Sequence, residues 1–164
     1  MRQIPADKYN VAWFKLADFV IRGEKERALG VYRLLMHAIN DEALALQLEG
    51  DILLAFNDPF AIDRYRSAAQ AYMHAQRWVQ ALGIYEQIKS LEALTYEDIL
   101  AMLELCHILN FSSQLVVLCK NIGNYLENKQ QLHDIKELIE HYKKTVSVSH
   151  ATELETCAAH FPSL

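Results

Sequence analysis

A chain of 164 residues is long enough for one domain that buries roughly 68–70% of the surface its unfolded form exposes. With 52% hydrophobic and 23% charged residues it is not a disordered segment, and five Gly and three Pro are too few for a turn-rich β protein. Sixteen basic against 21 acidic side chains leave a formal charge of -5, which opposes attraction to nucleic acid or an anionic membrane and leaves basic or neutral partners.

Hydrophobic periodicity predicts helices over 6–22, 24–39, 42–56, 59–75, 77–91, 96–109, 113–129, 131–145 and 150–160, joined by very short connections. The first and second meet at Gly23-Glu24. Asp58 can cap the fourth helix while Pro59, which lacks an amide hydrogen, sits where none is needed. Thr95 with Asp98 has the spacing of a capping box, and Ser112 can cap the next helix while Phe111 staples onto Val116.

The later helices continue the apolar pattern. Ile99, Leu100, Met102, Leu103, Leu105, Cys106 and Ile108 form one wide face, and Leu115, Val116, Leu118, Cys119 and Ile122 another. Leu132, Ile135, Leu138, Ile139 and Tyr142 then give a narrower stripe, with Lys136, Glu137, Glu140, Lys143 and Lys144 on the polar side. The alternation in Thr145-Val146-Ser147-Val148-Ser149 is read as a linker, with Ser149 capping the last helix, so no sheet is predicted. Phe161 either docks on the stack or remains free for a partner.

Three cysteines, Cys106, Cys119 and Cys157, are too few and too scattered for a disulfide framework, which points to a reducing compartment. The start, Met1-Arg2-Gln3-Ile4-Pro5-Ala6-Asp7-Lys8, has no apolar run after its charge, and no later stretch reaches the roughly 18 apolar residues of a membrane span. A cytoplasmic protein with no membrane insertion is the expectation.

An internal echo organises the chain: Ala28-Leu29-Gly30-Val31-Tyr32 returns as Ala81-Leu82-Gly83-Ile84-Tyr85, each time after a polar turn. Tyr65, Ala68, Ala69, Tyr72, Ala81, Tyr85 and Ile88 fall at a spacing that resembles the tetratricopeptide repeat. A second match runs through Trp13, Leu16, Ala17 and Val20 to Ala28, Tyr32 and Leu35, and a third through Leu46, Gly50 and Leu53 to Ala61, Tyr65 and Ala68. The fourth helix serves both as the second of one pair and as the first of the next. Tyr65-Arg66-Ser67-Ala68-Ala69-Gln70-Ala71-Tyr72, followed by Trp78, Ala81 and Tyr85, is also similar over barely one repeat to the soluble NSF attachment proteins of vesicle fusion.

The resemblance implies an all-α chain of about eight or nine antiparallel helices wound into a right-handed α-α superhelix, a tetratricopeptide-like α-solenoid. The whole chain, 1–164, is read as a single helical-repeat domain: 6–91 holds the best-matching helices, 96–145 divergent stacked helices, and 150–160 a C-terminal capping helix. Small residues such as Ala69 and Ala81 would let helix backbones approach, while Trp13, Tyr32, Tyr72 and Tyr85 would fill the core. Aligned with the family pattern, the concave groove would present Phe14, Asp18, Gln47, Asp51, Arg66, Gln70, Met73 and His74 to a protein or peptide. The carboxylate-clamp signature, several Lys and Arg converging with Asn, is not evident.

Chemistry-bearing motifs are sparse. His150, Cys157 and His160 share a helix face, although structural zinc sites use tighter pairs and four ligands. Glu137 with His141, and Glu104 with His107, stand about one turn apart, as a general base and its orienter do. The sequence carries no Gly-rich phosphate loop, nucleophile elbow or Cys-x-x-Cys. The expectation is a non-catalytic interaction module, an adaptor, scaffold or chaperone, with no cofactor and no metal. The alternatives are a structural subunit of a homo-oligomer or larger complex and, less favoured, a metal-dependent or acid–base enzyme.

Overall fold

A computed structural model describes residues 6–37, 40–122, 129–144 and 148–159. Its elements are α1 (Ala6–Ile21), α2 (Lys25–Met36), α3 (Glu42–Ala55), α4 (Phe60–His74), α5 (Trp78–Ser90), α6 (Tyr96–Ile108), α7 (Ser112–Asn121), α8 (Lys129–Lys143) and α9 (Val148–Ala159). The chain is all-α, with no strand among the described residues. It divides into two compact units after Ile88. Among the described residues no helix is long and apolar enough to cross a membrane.

The short connections have a repeated local cause. Gly23, Asn57, Gln76, Glu92 and Asn110 all take the left-handed backbone conformation, with φ between 52° and 73°. At four of these turns the amide of the next residue reaches back to a carbonyl in the last helical turn: Glu24 to Phe19, Asp58 to Leu53, Arg77 to Tyr72 and Phe111 to Cys106. The left-handed residue's own amide closes a tighter bond, as from Asn57 to Leu54. This Schellman ending satisfies orphan carbonyls and reverses the chain within a few residues.

Helix starts follow their predicted caps with three corrections, the first being that α4 opens at Phe60 with Pro59, not Asp58, at its N-cap. Asp58 accepts from the Phe60 amide at 2.9 Å and also pairs with Lys25, which holds its carboxyl below the usual carboxylate range. Thr95 and Asp98 close the capping box reciprocally, which accounts for the burial of Asp98. Ser112, however, is the first residue of α7 and not its cap. Phe111 already closes the end of α6 through its amide and accepts the first α7 bond, from Leu115, through its carbonyl, so the staple frame to Val116 is lost. Likewise α9 begins at Val148, ahead of Ser149. The predicted helix over 113–129 is described as α7 up to Asn121, and its stretch 123–128 lies outside the described residues.

In the first unit α1 packs on α2, α2 on α3 and α3 on α4. Ala28, Ala61, Ala68, Ala69 and Ala81 are buried, so the small positions sit where backbones approach. The echoed segments share one pattern: Ala, Leu and Tyr are buried in both, while a Cβ at Gly30 or Gly83 would meet nothing within 4 Å. Tyr65, Tyr72 and Tyr85 are core residues, as is Tyr32, but Trp13 is only half-buried and Ala17 is exposed.

In the second unit α6 packs on α7, and α9 packs on both α7 and α8. Met102, Leu103, Leu105, Leu115, Ile122, Ile135, Ile139 and Leu154 are fully buried. Leu100 is half-buried and Ile108 is exposed, so the α6 core face is narrower than the sequence reading. Lys143, on the polar side of α8, pairs with Glu140 and with Glu155 of α9.

Candidate partner-binding site

The site grows from the cap of α3. Asp41 Oδ1 accepts from the Leu44 amide at 3.1 Å, while Oδ2 accepts from Arg77 Nη1 at 2.6 Å. The Arg77 guanidinium carbon lies 4.5 Å from the centroid of the Tyr72 ring, a cation–π contact, and the Tyr72 hydroxyl donates to Gln47 Oε1 at 2.7 Å. This chain of contacts ties the start of α3 to the turn between α4 and α5. The Leu44 amide, with the Arg77 guanidinium, holds the Asp41 carboxyl below the usual range, and burial pushes the Tyr72 hydroxyl up.

The tied ends border a cavity of 760 Å³. Glu42, Ala43 and Leu46 line it from α3, and Ser67, Gln70 and His74 from α4. Glu42, Gln70 and His74 are exposed, so the cavity opens to solvent, and its size falls within the range of ligand pockets.

Of the eight groove positions read from the family pattern, Gln70 and His74 meet at this cavity. Gln47 and Asp51 are instead engaged in helix packing: Gln47 accepts from Tyr72, and Asp51 Oδ1 accepts from the Tyr65 hydroxyl at 2.8 Å. Gln87 Nε2 donates to the same Tyr65 oxygen at 2.8 Å, so Tyr65 links α3, α4 and α5. Arg66 lies 3.8 Å from the Asp63 carboxylate, and Met73 is half-buried on α4. Phe14 and Asp18 lie on α1 and do not line the cavity; Phe14 is 76% exposed and Asp18 pairs with Arg22 at 3.0 Å.

Sequence reasoning missed Asp41, Glu42 and Arg77. Asp41, directly before the first apolar residues of α3, is a plain N-cap signal, whereas the reach of Arg77 across to it is a tertiary contact with no sequence signature.

The acid–base pairs also resolve differently. Glu137 Oε1 lies 3.4 Å from His133 Nε2, one turn earlier on α8. His141 approaches His107 of α6, their ring centroids 6.0 Å apart, and His107 stacks on Tyr142 with centroids 4.4 Å apart. Burial, with Glu104 nearby, pushes the Tyr142 hydroxyl up to about 12. The Cys157 side chain, His160 and Phe161 lie outside the described residues, as does the stretch 145–147. Among the described residues no group of three or more His, Cys, Asp or Glu side chains is placed to hold a metal ion. No protein-family model, curated protein or solved structure matches the chain.

Proposed function

We propose that the chain is a non-catalytic, tetratricopeptide-like interaction module that holds a segment of a partner protein in the cavity between α3 and α4. The observation that carries this reading is the cavity itself: it is bordered by a closed Asp41–Arg77 pair and presents Gln70 and His74 outward. A right-handed superhelical turn is proposed for α1 to α4, supported by the succession of packed helices and the repeated Schellman endings. In the second unit, ring contacts between α6 and α8 and packing between α7 and α9 support next-but-one stacking within that unit. Cys106 and Cys119, both buried in apolar helices, fit a reducing compartment such as the cytoplasm.

Partner capture from cell lysate tests the reading by comparing the wild type with the variant Gln70→Arg plus His74→Glu. Both positions are exposed, so the fold is expected to survive, which circular dichroism checks. A partner kept by the wild type and lost by the variant supports groove recognition; equal capture by both contradicts it.

Self-assembly is a second reading, favoured by one observation. On α1, Phe14 and Ile21 are 76% and 85% exposed. A mass in light scattering that rises with concentration, and falls back in Phe14→Ser, would support it; a constant monomer mass would remove it.

A further inference from the structure

The charges around the α3–α4 cavity are unequal in availability. Its lining carries the carboxylates of Asp41 and Glu42 and the guanidinium of Arg77. Arg77 is consumed internally, since it pairs with Asp41 at 2.6 Å and lies over the Tyr72 ring. Asp41 is consumed as well, by Arg77 and by the Leu44 amide. Among the described residues no cation pairs with Glu42, which is exposed at the cavity mouth.

Of the two helix ends at the cavity, that of α4 acts in the same direction and that of α3 is already offset. The N-terminus of α3, which favours an anion, already has one in Asp41. The last turn of α4, with His74 and Ala75 in the lining, directs the negative end of its helix dipole at the cavity. Ala43, Leu46 and Ala71 supply apolar wall against which the methylene stem of a long basic side chain can lie while its charged head stays near solvent.

We propose that this cavity takes an arginine or lysine side chain of the partner peptide, with Glu42 as its counter-ion and the Gln70 amide oxygen as a neutral acceptor. The proposal rests on the groove reading above and adds the chemistry of the anchor. An acidic anchor would face Glu42 and find Arg77 already paired. The formal charge of -5 adds a weak, salt-dependent attraction for basic segments over the whole chain.

A library of random twelve-residue peptides on phage, selected on the immobilised full chain, tests this. Selected peptides are then synthesised and titrated by fluorescence polarisation against the wild type, Gln70→Arg and Glu42→Gln. The expected result is a shared Arg or Lys whose replacement by Ala abolishes binding. Glu42→Gln is expected to weaken binding by up to about fivefold, the upper end for an exposed ion pair. Peptides that share an acidic or apolar anchor and bind Gln70→Arg more tightly or more weakly than the wild type would overturn the cationic anchor while leaving the groove reading intact. If no peptide is selected, or those selected bind Gln70→Arg as well as the wild type, both readings are overturned.

Discussion

Gly50 of α3 lies against Tyr65 of α4 so closely that a Cβ at residue 50 would sit 2.8 Å from two atoms of the Tyr65 ring. The ring cannot give way easily, because Tyr65 is fully buried and its hydroxyl is held by Asp51 and Gln87.

Two glycine substitutions should therefore act in opposite directions. Gly50→Ala is expected to destabilise the fold by about 1–3 kcal/mol through overpacking. Gly83→Ala, exposed in the interior of α5 with nothing near its Cβ, should stabilise by about 0.5–1 kcal/mol because alanine is the better helix former. Urea denaturation of the two variants checks both signs. A neutral Gly50→Ala would show that α3 and α4 do not approach as described.

The tyrosine hydroxyls should differ in importance. Tyr65→Phe removes a donor to Asp51 and an acceptor for Gln87, leaving two partly buried groups to be resatisfied, and is expected to cost about 2 kcal/mol. Tyr32→Phe removes one bond to the Ala45 carbonyl, at 2.7 Å, and should cost about 1 kcal/mol. Equal losses in chemical denaturation would argue against the three-helix link through Tyr65.

Stability should fall at both ends of the pH scale. Asp41 and Asp58 are held below their ordinary range, so the unfolded chain takes up protons near pH 4 that the folded chain still refuses. Their contribution is complete above about pH 4 and fades as pH drops through the lower folded values. Tyr32 and Tyr142 are pushed up to about 12, chiefly by burial, so above about pH 10 the unfolded chain releases protons that the folded chain keeps. Stability then declines as pH rises from 10 toward 12. Urea midpoints measured from pH 3 to 11 should show a plateau between these limits; a flat acid limb in Asp41→Asn plus Asp58→Asn would identify its source.

How far the sequence can be read is visible in particular residues. Ala28 and Ala81, one position in two echoed segments, are both fully buried, and the Thr95–Asp98 box closes as its spacing requires. These are local or periodic signals, carried by propensity and pattern. Gln47 and Asp51 fall at groove positions only through alignment with the tetratricopeptide pattern, which registers helix position and not the partner each side chain meets. Their use as acceptors for Tyr72 and Tyr65 depends on how α3 faces α4, a relation no window of sequence contains. The same holds for the Arg77–Asp41 pair and for His107 meeting His141 from another helix. Gln76, Glu92 and Asn110 show a third limit, since left-handed helix endings on residues other than glycine leave little trace in composition.

Whether a partner polypeptide occupies the α3–α4 cavity can be read most directly by placing photoreactive p-benzoylphenylalanine at Gln70 and irradiating the chain in living cells. The control is the same residue at Glu97, exposed on α6. The groove reading predicts discrete protein adducts from position 70 that position 97 does not form, mapping by mass spectrometry to a short partner segment that contains Arg or Lys. No adduct at 70, or the same adducts from both positions, would contradict it.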